Sequence, residues 1–476
     1  MESPAPAPCS SGESVSANRK KAGRRRWVAF ALVFIAAFGV RLLCWRDARD
    51  EAPRVQTAVT NNYKHLAALL RQNGPASFFD PSSPTSDPDL LGHPPGYPFL
   101  LALIYSLFGE RDAAAQIFQI VCDSLAASLV LLIAAELLPF GVAVVAGALV
   151  ALAPQFCWNS VLLLPDTLAV LPVLLAVYLL LRAGSRRTPS EGRRALVKIF
   201  FAGALVGLSC WLRANALLLS PFLLLLVPFL FERGRRTRAS LALLGGAALA
   251  LAPLAARNAV VYGHFIPVSL GAGQTLVEGI GDYDTEGKFG LPDTDVELIR
   301  QEAEMYGRPE YASSLFTPDG ITRDRARTSR ALSVVAAHPL WFASVMARRA
   351  ASMLRLERTP LTSTLPVSEG LTRAPRLAVR ALQKLFITAL DLPLVLIGLF
   401  VLARARKFRA LAALLAVPLY YLCVQSALHT EYRYVLAVHY FLFIFTATAL
   451  YHAGLFARRK LSQTTNTVPR GGGQQA

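Results

Sequence analysis

Apolar runs long enough to cross a bilayer recur along most of this chain, and they constrain its fold more than any other feature. A helix needs roughly 17 to 25 mainly apolar residues to span the hydrocarbon core. Only closed hydrogen-bonding elements survive there, because lipid cannot pair a free backbone group. Runs at or near this length fall at 27–45, 113–138, 141–157, 165–182, 196–212, 215–231, 239–256, 383–402, 408–425 and 435–455. The predicted fold class is an all-α polytopic membrane protein, a transmembrane bundle of about ten spans with helices lying on its non-cytoplasmic surface. Of the 476 residues 54% are hydrophobic and only 17% charged, a smaller polar share than a soluble chain of this size carries.

The net charge of +18 would suggest nucleic acid in a soluble protein. Here Lys and Arg gather in short loops, where they mark the cytoplasmic side, and no nucleic-acid partner is expected. KKAGRRR before the first span sets the N-terminus inside, and RRTPSEGRR (186–194), RGRRTR (233–238), RARKFR (404–409) and ARRK (457–460) mark further inside loops. Joining these marks leaves two large loops, 46–112 and 258–380, on the outer face. The short apolar run 97–109 then has no crossing to make and is expected to lie at the outer surface. The expected organisation is a disordered basic N-terminus (1–26), a transmembrane module with its outer loop (27–257), and a second outer loop with an interfacial helix (258–380). The last spans (381–456) and a disordered tail (457–476) complete it. Six cysteines are scattered with no CxxC pair, so neither a zinc site nor a disulfide framework is indicated.

The outer face collects polar groups that need an explanation. Asp50 and Glu51 follow the first span; neighbouring carboxylates can serve as a general base or bind a divalent cation, Mg or Mn, or can be a solvated cluster balanced by Arg49 and Arg54. Asp47 is a weaker candidate. In GHPPGYPF the prolines fix a rigid turn that holds His93, with Tyr97 behind it. Asp166 opens a span after Pro165, as a helix cap or as an acid at membrane depth. Asp123 is an alternative intramembrane acid that could pair with a neighbouring helix. Arg213 sits between two spans with almost no loop to solvate it, and a buried cation calls for an anion, Asp166 or a lipid phosphate. Arg257 with Asn258, and Arg433 in HTEYRY, also sit at outer span ends, against the positive-inside bias. A shared anionic ligand would account for all three arginines.

Carboxylates and arginines at a lipid-facing surface suit group transfer from a phosphorylated lipid: cations stabilise the departing phosphate and a carboxylate deprotonates the acceptor. Neither a P-loop nor a dinucleotide fingerprint is present. In GHPPGYPFLLALIYSLFG, LLLPDTLAV, AGALVGLSCWLRANALLL and APLAARNAVVYGHFIPVS, with AHPLWFASVMARR and EYRYVLAV as weaker carriers, the chain resembles membrane glycosyltransferases of the GT-C superfamily, closest in pattern to family 39. That family includes protein mannosyltransferases and lipid A aminoarabinose transferases. The resemblance implies a polyprenyl- or dolichyl-phosphate sugar donor, inversion at the anomeric carbon, and transfer on the non-cytoplasmic side to a lipid, glycan or protein acceptor. It implies catalytic or metal-binding roles for Asp50, Glu51 and Asp166, with Asp50 and Asp166 as the metal ligands. It implies a donor pocket of His93, Arg213 and Arg257, to which the reading of the outer arginines adds Arg433 as a phosphate ligand, with Tyr63, Tyr97 and Asn258 as candidate pocket residues. Many relatives keep an Asp three or four residues before the Tyr of the loop helix; AVTNNY, ending at Tyr63, has Asn61 and Asn62 but no acid. The compact loops and arginine-rich composition tilt the expected location to a bacterial inner membrane. A transporter or flippase of a lipid-linked or anionic substrate is the alternative, but it would line a path to the cytoplasm with polar residues, whereas the cytoplasmic halves of these spans are almost wholly apolar.

Overall fold

The computed structural model describes residues 11–52, 58–184, 192–358 and 370–466. Every regular element among them is helical. Seven helices are long and apolar enough to cross a membrane, or up to nine if each of two bent pairs counts as one span. The chain is an integral multi-pass membrane protein.

The first helix, α1 (Ser11–Ala48), starts inside the stretch expected to be disordered, while residues 1–10 lie outside the described residues. Next follow α2 (Ala58–Asn73), short 3₁₀ turns over 75–92, and α3 (Gly96–Phe108). Then come α4 (Asp112–Leu137), the shorter α5 (Phe140–Leu152), α6 (Pro154–Asn159), α7 (Asp166–Gly184), α8 (Gly192–Leu212) and α9 (Arg233–Tyr262). The stretch expected as the second outer loop folds into α10 (Ala272–Gly281), α11 (Asp295–Tyr306), α12 (Gly320–Ala337) and α13 (Pro339–Met353), with α12 and α13 meeting at 105°. The last helices are α14 (Arg373–Gln383), α15 (Thr388–Arg404), α16 (Phe408–Gln425) and α17 (Leu436–Asn466). Helix α17 thus enters the tail expected to be disordered; residues 467–476 lie outside the described residues.

Three of the ten expected spans are shorter or broken, and in two of them prolines fall at the breaks. The 141–157 run ends at Leu152 and restarts at Pro154; the 215–231 run contains Pro221 and Pro228 and splits into short α and 3₁₀ pieces. The third is a 17-residue helix, α15, joined to α14 with a 61° bend across residues 384–387. Proline removes a helical hydrogen bond and clashes with the preceding turn.

Two polar networks tie the bundle. Arg41, fully buried in α1, donates to Asp123 of α4 at 2.5 Å and to the Ala151 carbonyl at 3.1 Å, and Tyr440 of α17 donates to the same carboxylate. The alternative intramembrane acid is therefore spent on a structural pair. Asp47, the weaker catalytic candidate, is buried between Arg376 (2.7 Å) and Arg380 (2.9 Å) of α14. Such pairs survive in low dielectric only when every partner is supplied.

Candidate functional site

Asp166 opens α7, and Arg213 directly follows α8. Ser209 donates to the Ala169 carbonyl at 2.8 Å, locking these two helices near their outer ends. Arg213 Nη2 accordingly reaches Asp166 Oδ1 at 2.8 Å, with both side chains largely buried. The guanidinium also lies 4.1 Å from the ring centre of Tyr434, a cation–π contact. Arg433 stands beside it, donating to Glu431 at 2.6 Å, and the same carboxylate accepts from Tyr434 Oη at 3.2 Å.

The GHPPGYPF turn packs onto this cluster. A Cβ at Gly96 would overlap the Trp211 carbonyl, so only glycine lets the turn approach the end of α8. His93 is thereby set 5.3 Å, ring to ring, from Tyr63 of α2, and Tyr97 stands edge-on to Tyr63 at 5.2 Å. Burial first, then the charges of Arg213 and Arg433, lowers the His93 pKa to about 4. The imidazole is neutral at physiological pH, so it serves as a hydrogen-bonding group rather than a further cation. Burial pushes the Tyr63 hydroxyl up to about 12, keeping it protonated.

The cluster holds an unusual share of unspent polar atoms. Both Asp166 oxygens lack hydrogen-bond geometry despite the close ion pair, and Tyr63 Oη, Thr167 Oγ1, Asn215 Oδ1 and Arg433 Nε are also buried without a partner. Buried polar atoms are normally satisfied. They are concentrated between α2, α7, the 213–215 turn and the 431–434 segment.

The other expected site residues lie elsewhere in the contact network. Arg257 directs Nε to the Phe78 carbonyl (2.9 Å) and Nη2 to the Thr85 carbonyl (3.2 Å) and Ser86 Oγ (3.3 Å), and stacks on Phe78. Its donors hold the 75–92 turns rather than facing Asp166. Asn258 gives its amide to the Ile266 (2.9 Å) and Val268 (3.1 Å) carbonyls, and Tyr97 Oη bonds Gln119 at 2.6 Å. Both are spent within the scaffold. Asp50 is exposed and lies 3.7 Å from Arg49; Arg54 is outside the described residues. Glu51 is the last residue but one of the described stretch that begins with α1 and ends at Ala52. Among the described residues no three His, Cys, Asp or Glu side chains gather to hold a metal ion. The groups facing Asp166 are guanidinium cations, a donor set that does not suit a divalent cation.

Sequence reasoning did not select Tyr434, Glu431, Asn215 or Thr167 as site residues, although Glu431 and Tyr434 lie in the HTEYRY stretch it singled out. Each flanks a residue it did select, so the available signal was adjacency to Arg433, Arg213 and Asp166.

A family model described as dolichyl-phosphate-mannose-protein mannosyltransferase matches residues 92–257. Among curated proteins, none matches this sequence. The oligosaccharyltransferase AglB of Archaeoglobus fulgidus, in complex with an inhibitory peptide and a dolichol-phosphate, superposes with a TM-score of 0.52 at 16% identity, covering 95% of this chain and 52% of that one. The apo form of the A. fulgidus oligosaccharyltransferase gives 0.52 and 16%, covering 95% and 53%. ArnT of Cupriavidus metallidurans, bound to undecaprenyl phosphate, is similar at a TM-score of 0.37 and 16% identity, covering 89% and 77%. The chain spans about half the length of the oligosaccharyltransferases. The fold is a GT-C-type transmembrane bundle.

Proposed function

We propose that this protein is a GT-C glycosyltransferase, closest to family 39, that moves a sugar from a polyprenyl-phosphate carrier to an acceptor outside the cytoplasm. The carrying observation is the Asp166–Arg213–Arg433 cluster with its unspent polar atoms. The match of residues 92–257, which contain His93, Asp166 and Arg213, supports the same reading.

In the proposed reaction Arg213 and Arg433 receive the phosphate, guanidinium being suited to planar, multidentate contact with phosphate oxygens. An acceptor hydroxyl or amine attacks the anomeric carbon as the bond from that carbon to the phosphate oxygen breaks. The electron pair leaves with the polyprenyl phosphate, whose growing charge the two arginines stabilise. The acceptor proton goes to a carboxylate. Asp166, with free lone pairs inside the cluster, is assigned that role, and attack opposite the leaving group inverts the centre. Asp50 and Glu51, on the segment after α1, are assigned to the acceptor side. Neutral His93 and the Tyr63 hydroxyl orient the sugar. A bacterial inner membrane with a periplasmic site is the proposed location.

Purified protein in nanodiscs, incubated with a panel of radiolabelled polyprenyl-phosphate sugars and membrane extract, tests the proposal. Label should pass to an extractable glycoconjugate with wild type and not with Asp166→Asn. Equal transfer by the two proteins defeats the assignment.

A further inference from the structure

The segment that delivers Arg433 to the cluster is fastened at its other end to the second outer loop. His429 N–H donates to the Thr275 carbonyl of α10 at 2.7 Å, and its Nδ1 lies 3.1 Å from Asp282, just past the end of α10. A Cβ at Gly279 would sit 2.6 Å from the His429 nitrogen, so α10 and this turn touch backbone to backbone. Arg349 of α13 closes the junction. It donates to the Ser426 carbonyl at 2.8 Å and to the Gly279 carbonyl, and lies 3.3 Å from Asp282. Thr430 Oγ1 donates to the Gln425 carbonyl at 2.7 Å, stiffening the turn. Two residues beyond His429 comes Glu431, which grips Arg433 at 2.6 Å.

We propose that His429, held by Asp282 and Arg349, is the positioning residue that sets Arg433 in the cluster, so that seating of the second outer loop on the bundle governs phosphate binding there. This rests on reading the cluster as a phosphate site. The chain of contacts is short and made of fixed partners: α10 and α13 hold His429, one residue separates it from Glu431, and Glu431 holds Arg433. Coupling passes through such contiguous contacts when the linked element has few alternatives.

The junction carries its own pH dependence. The groups facing His429 are Asp282 and Glu278 from α10 and its end, and Glu431 from its own segment; Arg349 of α13 faces Asp282, and Asp295 of α11 faces Glu278. Hydrogen bonding to Asp282 raises the His429 pKa. A raised histidine holds its ion pair fully below its ordinary value and loses it as pH climbs through the raised one. Burial pushes Glu278 up to about 7, so it gains charge near neutrality and reinforces protonated His429.

Full-length protein in detergent, with undecaprenyl phosphate as probe, gives the test. His429→Gln and Asp282→Asn should each weaken binding at pH 6.5 by about 5- to 10-fold, the lower end of site-to-site coupling. Wild-type affinity should fall toward that of His429→Gln by pH 9, while His429→Gln stays flat. Hydrogen exchange of the 430–435 amides should quicken in both variants. Wild-type affinity and unchanged exchange in the variants overturn the proposal. If wild type fails to bind the probe yet exchange quickens in the variants, the phosphate reading falls and the mechanical link stands.

Discussion

Replacing Asp166 with Asn should move two properties of the cluster in opposite directions. The carboxylate lies 2.8 Å from Arg213, and its field reaches Arg433. Without it Arg213 loses its resident anion while Arg433 keeps Glu431, and a ligand meets the two guanidinium groups with one carboxylate fewer. A phosphate about 6 Å from the missing charge would be relieved of roughly 3 kcal/mol of repulsion at an effective dielectric of about 20. Water entry and side-chain relaxation return part of this, leaving carrier binding tighter by about 10- to 100-fold, or roughly 1.4 to 2.8 kcal/mol. Loss of the proton acceptor should meanwhile slow turnover by about 10² to 10⁴. Arg213→Ala should weaken both. Undecaprenyl phosphate binding in detergent and single-turnover transfer in nanodiscs read the two quantities separately. Thermal unfolding accompanies them, because a buried Arg213 without its counter-ion also destabilises the fold by about 3 to 5 kcal/mol. Weaker carrier binding in Asp166→Asn would refute the reasoning, since it would mean the carboxylate is not in electrostatic competition with the ligand.

Three further outcomes follow from the same contacts. The lowered His93 pKa of about 4 means that the unfolded chain binds a proton the folded chain refuses. Stability is therefore complete above the ordinary histidine value and lost as pH falls toward 4, by up to about 3 kcal/mol less what residual solvent contact screens; chemical unfolding at pH 7 and 4.5 should show the loss in wild type and not in His93→Gln. Arg257→Ala removes the donors that hold Phe78, Thr85 and Ser86 and should cost about 2 to 4 kcal/mol, with KM for the carrier rising more than kcat falls; Arg257→Lys should rescue little, since one ammonium cannot reproduce the fork. If the guanidinium groups carry the charge neutralisation at Asp166, EDTA leaves transfer unchanged, and a loss restored by Mg or Mn would put a cation in their place.

The bundle was legible because membrane insertion writes itself into sequence as long apolar runs, which broke at the prolines at 154, 221 and 228 and at the proline-free stretch 384–387. Asp166 and Arg213 were legible for a related reason: charges at outer span ends with no loop to solvate them have few possible partners, and each is the other's. Arg257 looked the same in sequence. What separates it is that its partners are backbone carbonyls of the 75–92 turns, and carbonyls leave no mark in the order of side chains. Asp47 shows the opposite difficulty. Its arginines, Arg376 and Arg380, lie more than three hundred positions away, beyond the reach of any local pattern.

The acid missing before Tyr63 and the ion pair at Asp166 belong to one arrangement. Three positions before Tyr63 stands Thr60, buried in the first turn of α2, with its hydroxyl 3.4 Å from the Leu163 carbonyl. An acid there would lie against the strand of backbone that leads into Asp166, and it would press one carboxylate on another unless a cation came between them. This chain has threonine at that place and an arginine 2.8 Å from the remaining acid. Here the carboxylate at Asp166 is balanced by a side chain fixed to the end of α8. On the proposed reading, a ligand phosphate meets guanidinium groups already aligned by α7, α8 and the 431–434 segment, and an acid at position 60 would compete with it for them.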